Sequence, residues 1–166
     1  DSGSVIKLFR VISGGQTGVD QPGIAAAATC GLETGGYMPR NFQTLEGSRP
    51  ELATCYGLKE HAGGYRQRTW ANVEISDGTL RMARKWNSPG EICTLKAIRE
   101  FKRPSYDIDI DRGDGIASVL AWLNHYDIGI LNVAGNSERT CPGIYDFAHE
   151  FLGGVFRAVQ KERERV

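Results

Sequence analysis

The strongest constraint on how this chain folds is the run Ser13-Gly14-Gly15-Gln16-Thr17-Gly18-Val19-Asp20. It follows a short apolar segment, Lys7 to Ile12, and precedes an alanine-rich stretch, Ile24 to Ala28. Pro22 in the first turn and Gly31 past the end punctuate a helix from Val19 to Cys30. Strand, glycine turn and small-residue helix together open a Rossmann-like unit. Glycine lets backbone N–H groups approach an anion closely, and the helix start adds its positive end. Gly14, Gly15, Gln16, Thr17 and Asp20 are therefore candidate ligand residues. The spacing is not GxGxxG and no P-loop lysine follows, so neither a dinucleotide fingerprint nor ATP hydrolysis is implied.

Strands and helices alternate along the rest of the chain. A short strand leads into Gly35-Gly36, and the polar segment from about residue 41 to 63 is a long connection of the functional or mobile kind. Tyr65 to Ile75 reads as a helix closed by Ser76-Asp77-Gly78, and Thr79 to Ala83 as the next strand. A helix over Ile92 to Phe101 follows Pro89-Gly90, then a strand over Ser105 to Ile110. Ile116, Val119, Leu120 and Leu123 share one helical face within Ile116 to Tyr126. Asp127 to Ala134 is the most apolar strand, suited to a buried parallel sheet, and Ile144 to about Glu162 is the closing helix. This order predicts an α/β, Rossmann-like open sheet, mostly parallel, of about five strands with helices on both faces. It forms one domain over residues 5–166; the first four residues, without an initiator Met, read as the remnant of a cleaved tag.

Open sheets of this kind bind ligands beyond the carboxyl ends of their strands. A second turn, Asn87 to Glu91, offers Ser88 and Gly90 with Thr94 one step on, although Ser88-Pro89 is equally an ordinary helix cap. A third, Gly135 to Gly143, offers Gly135, Asn136, Ser137 and Arg139, the last being its only fixed positive charge. Arg66 and Arg68 lie two apart on a predicted helix start, so they read as one salt-bridged and one exposed arginine. Trp70, Trp86 and Trp122 read as core or half-buried anchors.

Catalytic machinery is hard to assemble. His61, His125 and His149 lie away from the glycine turns, and no GxSxG elbow occurs. Cys141 is either a reactive thiol in a ligand loop or simply a small residue before Pro142-Gly143. Asp107, Asp109 and Asp111 share one strand face and need no metal to explain them. Cys30, Cys55, Cys93 and Cys141 form no CxxC pair and suit reduced thiols in a cytoplasmic protein. Twenty basic residues balance twenty acidic ones, so no nucleic-acid footprint is present. No apolar run approaches the roughly 18 residues of a membrane span.

The segments ISGGQTGVD (Ile12 to Asp20), GLETGGYMPR (Gly31 to Arg40), GYRQRTWANVEISDGTL (Gly64 to Leu80) and LNVAG…PGIY (Leu131 to Tyr145) resemble the molybdenum-cofactor carrier proteins. That family lies within a Rossmann-like superfamily that includes lysine-decarboxylase-like phosphoribohydrolases. The resemblance implies a homo-oligomer that binds, protects and passes on molybdenum cofactor, a phosphate-bearing molybdopterin, without turning it over. Molybdenum enzymes would be the recipients. The chain departs from the family at Ser88-Pro89-Gly90-Glu91, where members often carry a TGGT-like turn. Two alternatives remain open: a nucleotide N-glycosidase or phosphoribohydrolase with Glu91 as its acid, and a nucleotide-ligand sensor.

Overall fold

The computed structural model describes residues 5–113 and 115–165; the four residues read as a tag remnant lie outside this range. The elements in chain order are β1 (Arg10–Ile12), α1 (Asp20–Thr29), β2 (Glu33–Gly35), β3 (Tyr37–Met38), a single 3-10 turn (Arg40–Phe42), β4 (Gln43–Thr44) and β5 (Gly47–Ser48). There follow α2 (Glu51–Tyr56), β6 (Lys59–Glu60), α3 (Tyr65–Ile75), β7 (Gly78–Ala83), α4 (Pro89–Phe101), β8 (Ser105–Asp109), α5 (Ile116–His125), β9 (Ile130–Gly135) and α6 (Ile144–Glu164). The central sheet has five strands in the order β2-β1-β9-β7-β8, and every pairing in it is parallel. The last strand of the chain thus sits in the middle of the sheet.

The two faces of the sheet differ in chemistry. Leu80 and Met82 of β7, Leu131 and Val133 of β9, and Val11 of β1 join one core with α1, α5 and α6. On α6 the spacing Ile144, Ala148, Leu152, Val155, Phe156 and Val159 lines a single stripe, and each of these is fully buried. Burying a large apolar side chain contributes about 1.5–3 kcal/mol, so this face carries most of the packing. Strand alternation turns Thr79, Arg81 and Asn132 to the opposite face, beneath α3 and α4. All three are buried. The apolar contact there shrinks to Val73, Ala97 and Ile98, flanked by Trp70 and Phe101.

The segment from about 41 to 63 is not the structureless connection its composition suggests. β4 and β5 form a small antiparallel hairpin, and β6 pairs in parallel with β3. A satellite core of Ile24, Met38, Leu52 and Leu58 holds the segment against α1. Strands of two residues carry no readable alternation, which is why the sequence hides them.

The turns after β1 and β9 are locked together at Gly18, which has φ +85°. A Cβ there would fall on the carbonyl oxygen of Asn136 and on the backbone of Ser137. Gly18→Ala is therefore expected to lose about 2 kcal/mol or more, read as a lower urea midpoint with an unchanged slope.

Candidate functional site

A cavity of about 500 Å³ opens beyond the carboxyl ends of β1 and β9, bounded by the starts of α3 and α4. Of the residues singled out from the sequence, Gly14, Gln16, Asp20, Ser88, Gly90, Thr94, Gly135 and Ser137 line it. Gly15, Thr17, Asn136 and Arg139 are not among its lining residues. A Cβ on Gly15 would meet Met38 and Leu58, so this residue faces the satellite core.

The first glycine turn has spent most of its backbone donors on its own side chains. Gly15 N–H donates to Ser13 Oγ (3.2 Å), Gln16 N–H to Asp20 Oδ2 (3.3 Å) and Thr17 N–H to Gln16 Oε1 (3.0 Å). Thr17 Oγ1 accepts from Glu138 N–H at 3.3 Å, tying this turn to the loop after β9. Gln16 Oε1 also accepts from Leu45 N–H (2.9 Å), and Arg139 donates to Leu45 O (3.4 Å). Leu45, at the tip of the β4–β5 hairpin, lines the cavity. Gln16 and Arg139 thus hold a strap at the mouth of the cavity. Asn136 is a brace: its Oδ1 accepts from the N–H groups of Arg84 and Lys85 at 3.0 Å, and its Nδ2 donates to Lys85 O at 2.9 Å.

The start of α4 is different. Ser88 stands at the N-cap position and Pro89 opens the helix, as an ordinary first turn requires, but no side chain caps the helix. Pro89 has no N–H, and the N–H groups of Gly90 and Glu91 have no partner within the helix. Both residues line the cavity, and the positive end of the helix dipole lies behind them. Thr94 Oγ1 is occupied with Gly90 O at 3.0 Å.

Buried charge surrounds the cavity. Arg81 donates to both oxygens of Asp107 (2.8 and 2.6 Å), its register partner on β8, and to Glu91 O (3.2 Å). Its guanidinium also lies 4.9 Å from the ring centroid of Trp86. Glu91 is 2% exposed, with Oε1 3.9 Å from Arg81 and no hydrogen-bond partner. Burial pushes its carboxyl up to about 7, against the opposing pull of Arg81. Asp20, 3.8 Å from Arg68, is likewise pushed up by burial to about 6, partly offset by Arg68 and by backbone N–H groups. Arg68 is itself buried, and its Nε has no partner. Burial lowers its pKa, partly restored by Asp20.

Arg68 and Arg66 match the expected pair of one salt-bridged and one exposed arginine, since Arg66 is exposed and lies 4.7 Å over the ring of Trp70. Yet both line the cavity, a role that two-apart spacing on a helix hid. Tyr65, Asn72 and Asn132 also line it; they lie within the segments that carry the family resemblance but were not singled out as ligand residues. A readable sign was available for Arg81, a charge inside the otherwise apolar strand TLRMA.

Cys141 is buried, and burial pushes its thiol up, so it is not a ready thiolate. Asp107 pairs with Arg81 and Asp111 with Arg84. Among the described residues no group of three His, Cys, Asp or Glu is arranged to hold a metal ion. No helix of the described residues is long and apolar enough to cross a membrane.

A five-stranded, all-parallel sheet with helices on both faces and a cavity beyond its strand ends defines a Rossmann-like α/β protein. The profile of the circularly permutated YpsA SLOG family matches residues 11–156, and the chain belongs to that family. It is similar to the crystal structure of a "putative molybdenum carrier protein" from Syntrophus aciditrophicus SB, with 30% sequence identity and a TM-score of 0.85. The similarity covers 94% of this chain and 99% of that one. No curated protein matches the chain.

The raised carboxyls give stability a definite pH dependence. Between their ordinary values of 3.8 and 4.5 and their folded values of about 6 and 7, the folded state holds protons that the unfolded chain has released. Stability therefore falls as pH rises through that window. Glu91→Gln is expected to flatten the fall and to exceed the wild type by about 2 kcal/mol at pH 8, with little difference at pH 4. Chemical denaturation of both proteins at the two pH values checks this.

Proposed function

We propose that this protein binds and shields a phosphate-bearing small molecule in the cavity, without turning it over, and that the cargo is molybdenum cofactor. The observation that carries the reading is the uncapped start of α4, where Gly90 and Glu91 line a cavity that Arg66 and Arg68 also line. A terminal phosphate suits those donors and the helix end. The remaining volume of about 500 Å³, with Leu45 across its mouth, suits a planar heterocycle held away from water. The molybdenum sits in the cargo's own dithiolene, so the chain need supply no metal ligand. The crystal structure from Syntrophus aciditrophicus supports the carrier role through its designation, and family membership supports the fold that such a site requires.

Gly90→Asp is the sharpest test. A Cβ at Gly90 meets nothing within 4 Å, and an acid in a first helical turn favours the helix, so the fold should stand. Placing a negative charge on the anion site is expected to weaken cofactor binding by about tenfold or more in a calorimetric titration. Excess inorganic phosphate should compete with the cofactor in the wild type. Binding that ignores both changes sinks the reading.

One observation favours a second reading. Glu91 has an unpartnered oxygen and a carboxyl near neutrality, the condition of a general acid or base. A nucleotide N-glycosidase built on it would release free base from nucleoside monophosphates, and Glu91→Gln would abolish the release. Chromatography of the incubated nucleotides decides between turnover and simple binding.

A further inference from the structure

We propose that the β4–β5 hairpin is a hinged gate, which pivots as a unit about Asn41 and Phe42 and is latched shut over the cavity at Leu45. The gate belongs to the cavity itself and depends on no particular cargo. Leu45, 37% exposed at the hairpin tip, lines that cavity. It is the only large apolar side chain between Gln43 and Ser48, so little apolar burial is lost when the hairpin lifts.

The hairpin is bonded mainly to itself. Thr44 Oγ1 donates to Gly47 O at 2.8 Å and accepts from Glu46 N–H at 3.0 Å, and Gln43 Nε2 donates to Thr44 O at 3.0 Å. Arg49 N–H closes the base on Phe42 O at 2.8 Å. Thr44 is buried, but these hydroxyl partners travel with the hairpin. Among the described residues, the tip is tied to the body by two side chains. Gln16 Oε1 accepts from Leu45 N–H at 2.9 Å, and the Arg139 guanidinium donates to Leu45 O at 3.4 Å. Both bonds end on Leu45, so the latch is one residue wide. Both are exposed, and each contributes little net against water.

The opposite end of the hairpin carries strain. Asn41 has φ +63° and Phe42 φ +52°, two successive non-glycine residues in the left-handed region. Asparagine tolerates that region, whereas a bulky phenylalanine rarely enters it. Contacts with the body hold both residues there. Asn41 N–H donates to Glu60 Oε2 at 2.5 Å, Phe42 N–H donates to Pro39 O at 3.0 Å, and Phe42 packs against the satellite core. Strained backbone fixed to the body at one end, a self-bonded hairpin, and a two-bond latch at the other end are the parts of a hinged gate.

Thiol access to the cavity tests the gate without any cargo. The reporter is Ala134→Cys, or Ser137→Cys as a second position, each lining the cavity, in a full chain that also carries Cys55→Ser and Cys93→Ser. The remaining Cys30 and Cys141 are buried. Arg139→Ala cuts the latch and leaves the cavity lining unchanged, because Arg139 is not part of it. Dithiobis(nitrobenzoate), a bulky aromatic disulfide, is expected to react about three- to tenfold faster after the cut, the effect of one lost hydrogen bond on an opening equilibrium. Methyl methanethiosulfonate, small enough to pass the closed mouth, should keep its rate. Asn41→Val, a β-branched residue forced to φ +63°, should free the hairpin from the hinge end with the same result. Site-resolved hydrogen exchange in Arg139→Ala shows what moves. Leu45 N–H, bonded to Gln16, should exchange faster, while the Glu46 and Arg49 N–H groups, bonded inside the hairpin, keep their rates. An unchanged dithiobis(nitrobenzoate) rate in Arg139→Ala, or equal acceleration of both reagents, overturns the gate. Faster exchange at all three amides means that the hairpin unfolds instead of pivoting, and overturns it as well.

Discussion

The guanidinium of Arg81, buried on the polar face of the sheet beside the edge strand β8, is the constraint on which the rest of the structure depends. A charge in that position must be paired on the spot, and Asp107 supplies the pair from the neighbouring strand in direct register. Thr79 and Asn132 beside it, joined by a hydrogen bond of 3.2 Å, keep the same face polar. Helices cannot close on such a face as they close on the apolar one. α3 and α4 touch each other through Val73, Ala97 and Ile98 and leave the cavity between their starts and the sheet.

Charge inside this cavity is arranged in opposed pairs whose members are all costly to bury. Asp20 faces Arg68 and Glu91 faces Arg81, and burial raises both carboxyls despite their partners. At neutrality Glu91, raised to about 7, is only partly ionised, whereas Asp20, raised to about 6, is mostly charged. Arg68 Nε and Glu91 Oε1 are buried there without hydrogen bonds.

The elements were legible in the sequence to within a few residues. α3 spans Tyr65–Ile75 as its pattern and the Ser76-Asp77-Gly78 turn require, and α6 follows its apolar stripe from Ile144. β1 and β9 each start three residues later than their apolar runs, because the runs extend past the paired register. Within the candidate site, the glycine turns lie at the end of the sheet where the cavity opens. Gln16, Arg139 and Asn136 carry polar groups that a sequence assigns to a ligand, whereas they bind the strap and the turn at Arg84-Lys85. Arg68 was hidden for the opposite reason: its partner Asp20 lies 48 positions away, outside the reach of any local pattern.

What the sequence by itself determined is everything set by neighbours along the chain. Glycine and proline fixed where turns and helices begin, and apolar periodicity fixed which helical faces are buried. What only the tertiary structure decided is which donors remain free. The N–H groups of the first glycine turn are taken up by side chains within four positions, while Gln16 Oε1 accepts from Leu45 across 29 positions and Thr17 Oγ1 from Glu138 across 121, contacts no local pattern announces. The start of α4, an ordinary cap by its sequence, is left open because no side chain in the fold reaches it. A backbone N–H is a ligand site only when nothing else in the folded chain has claimed it, and that is a property of the whole packing rather than of any segment.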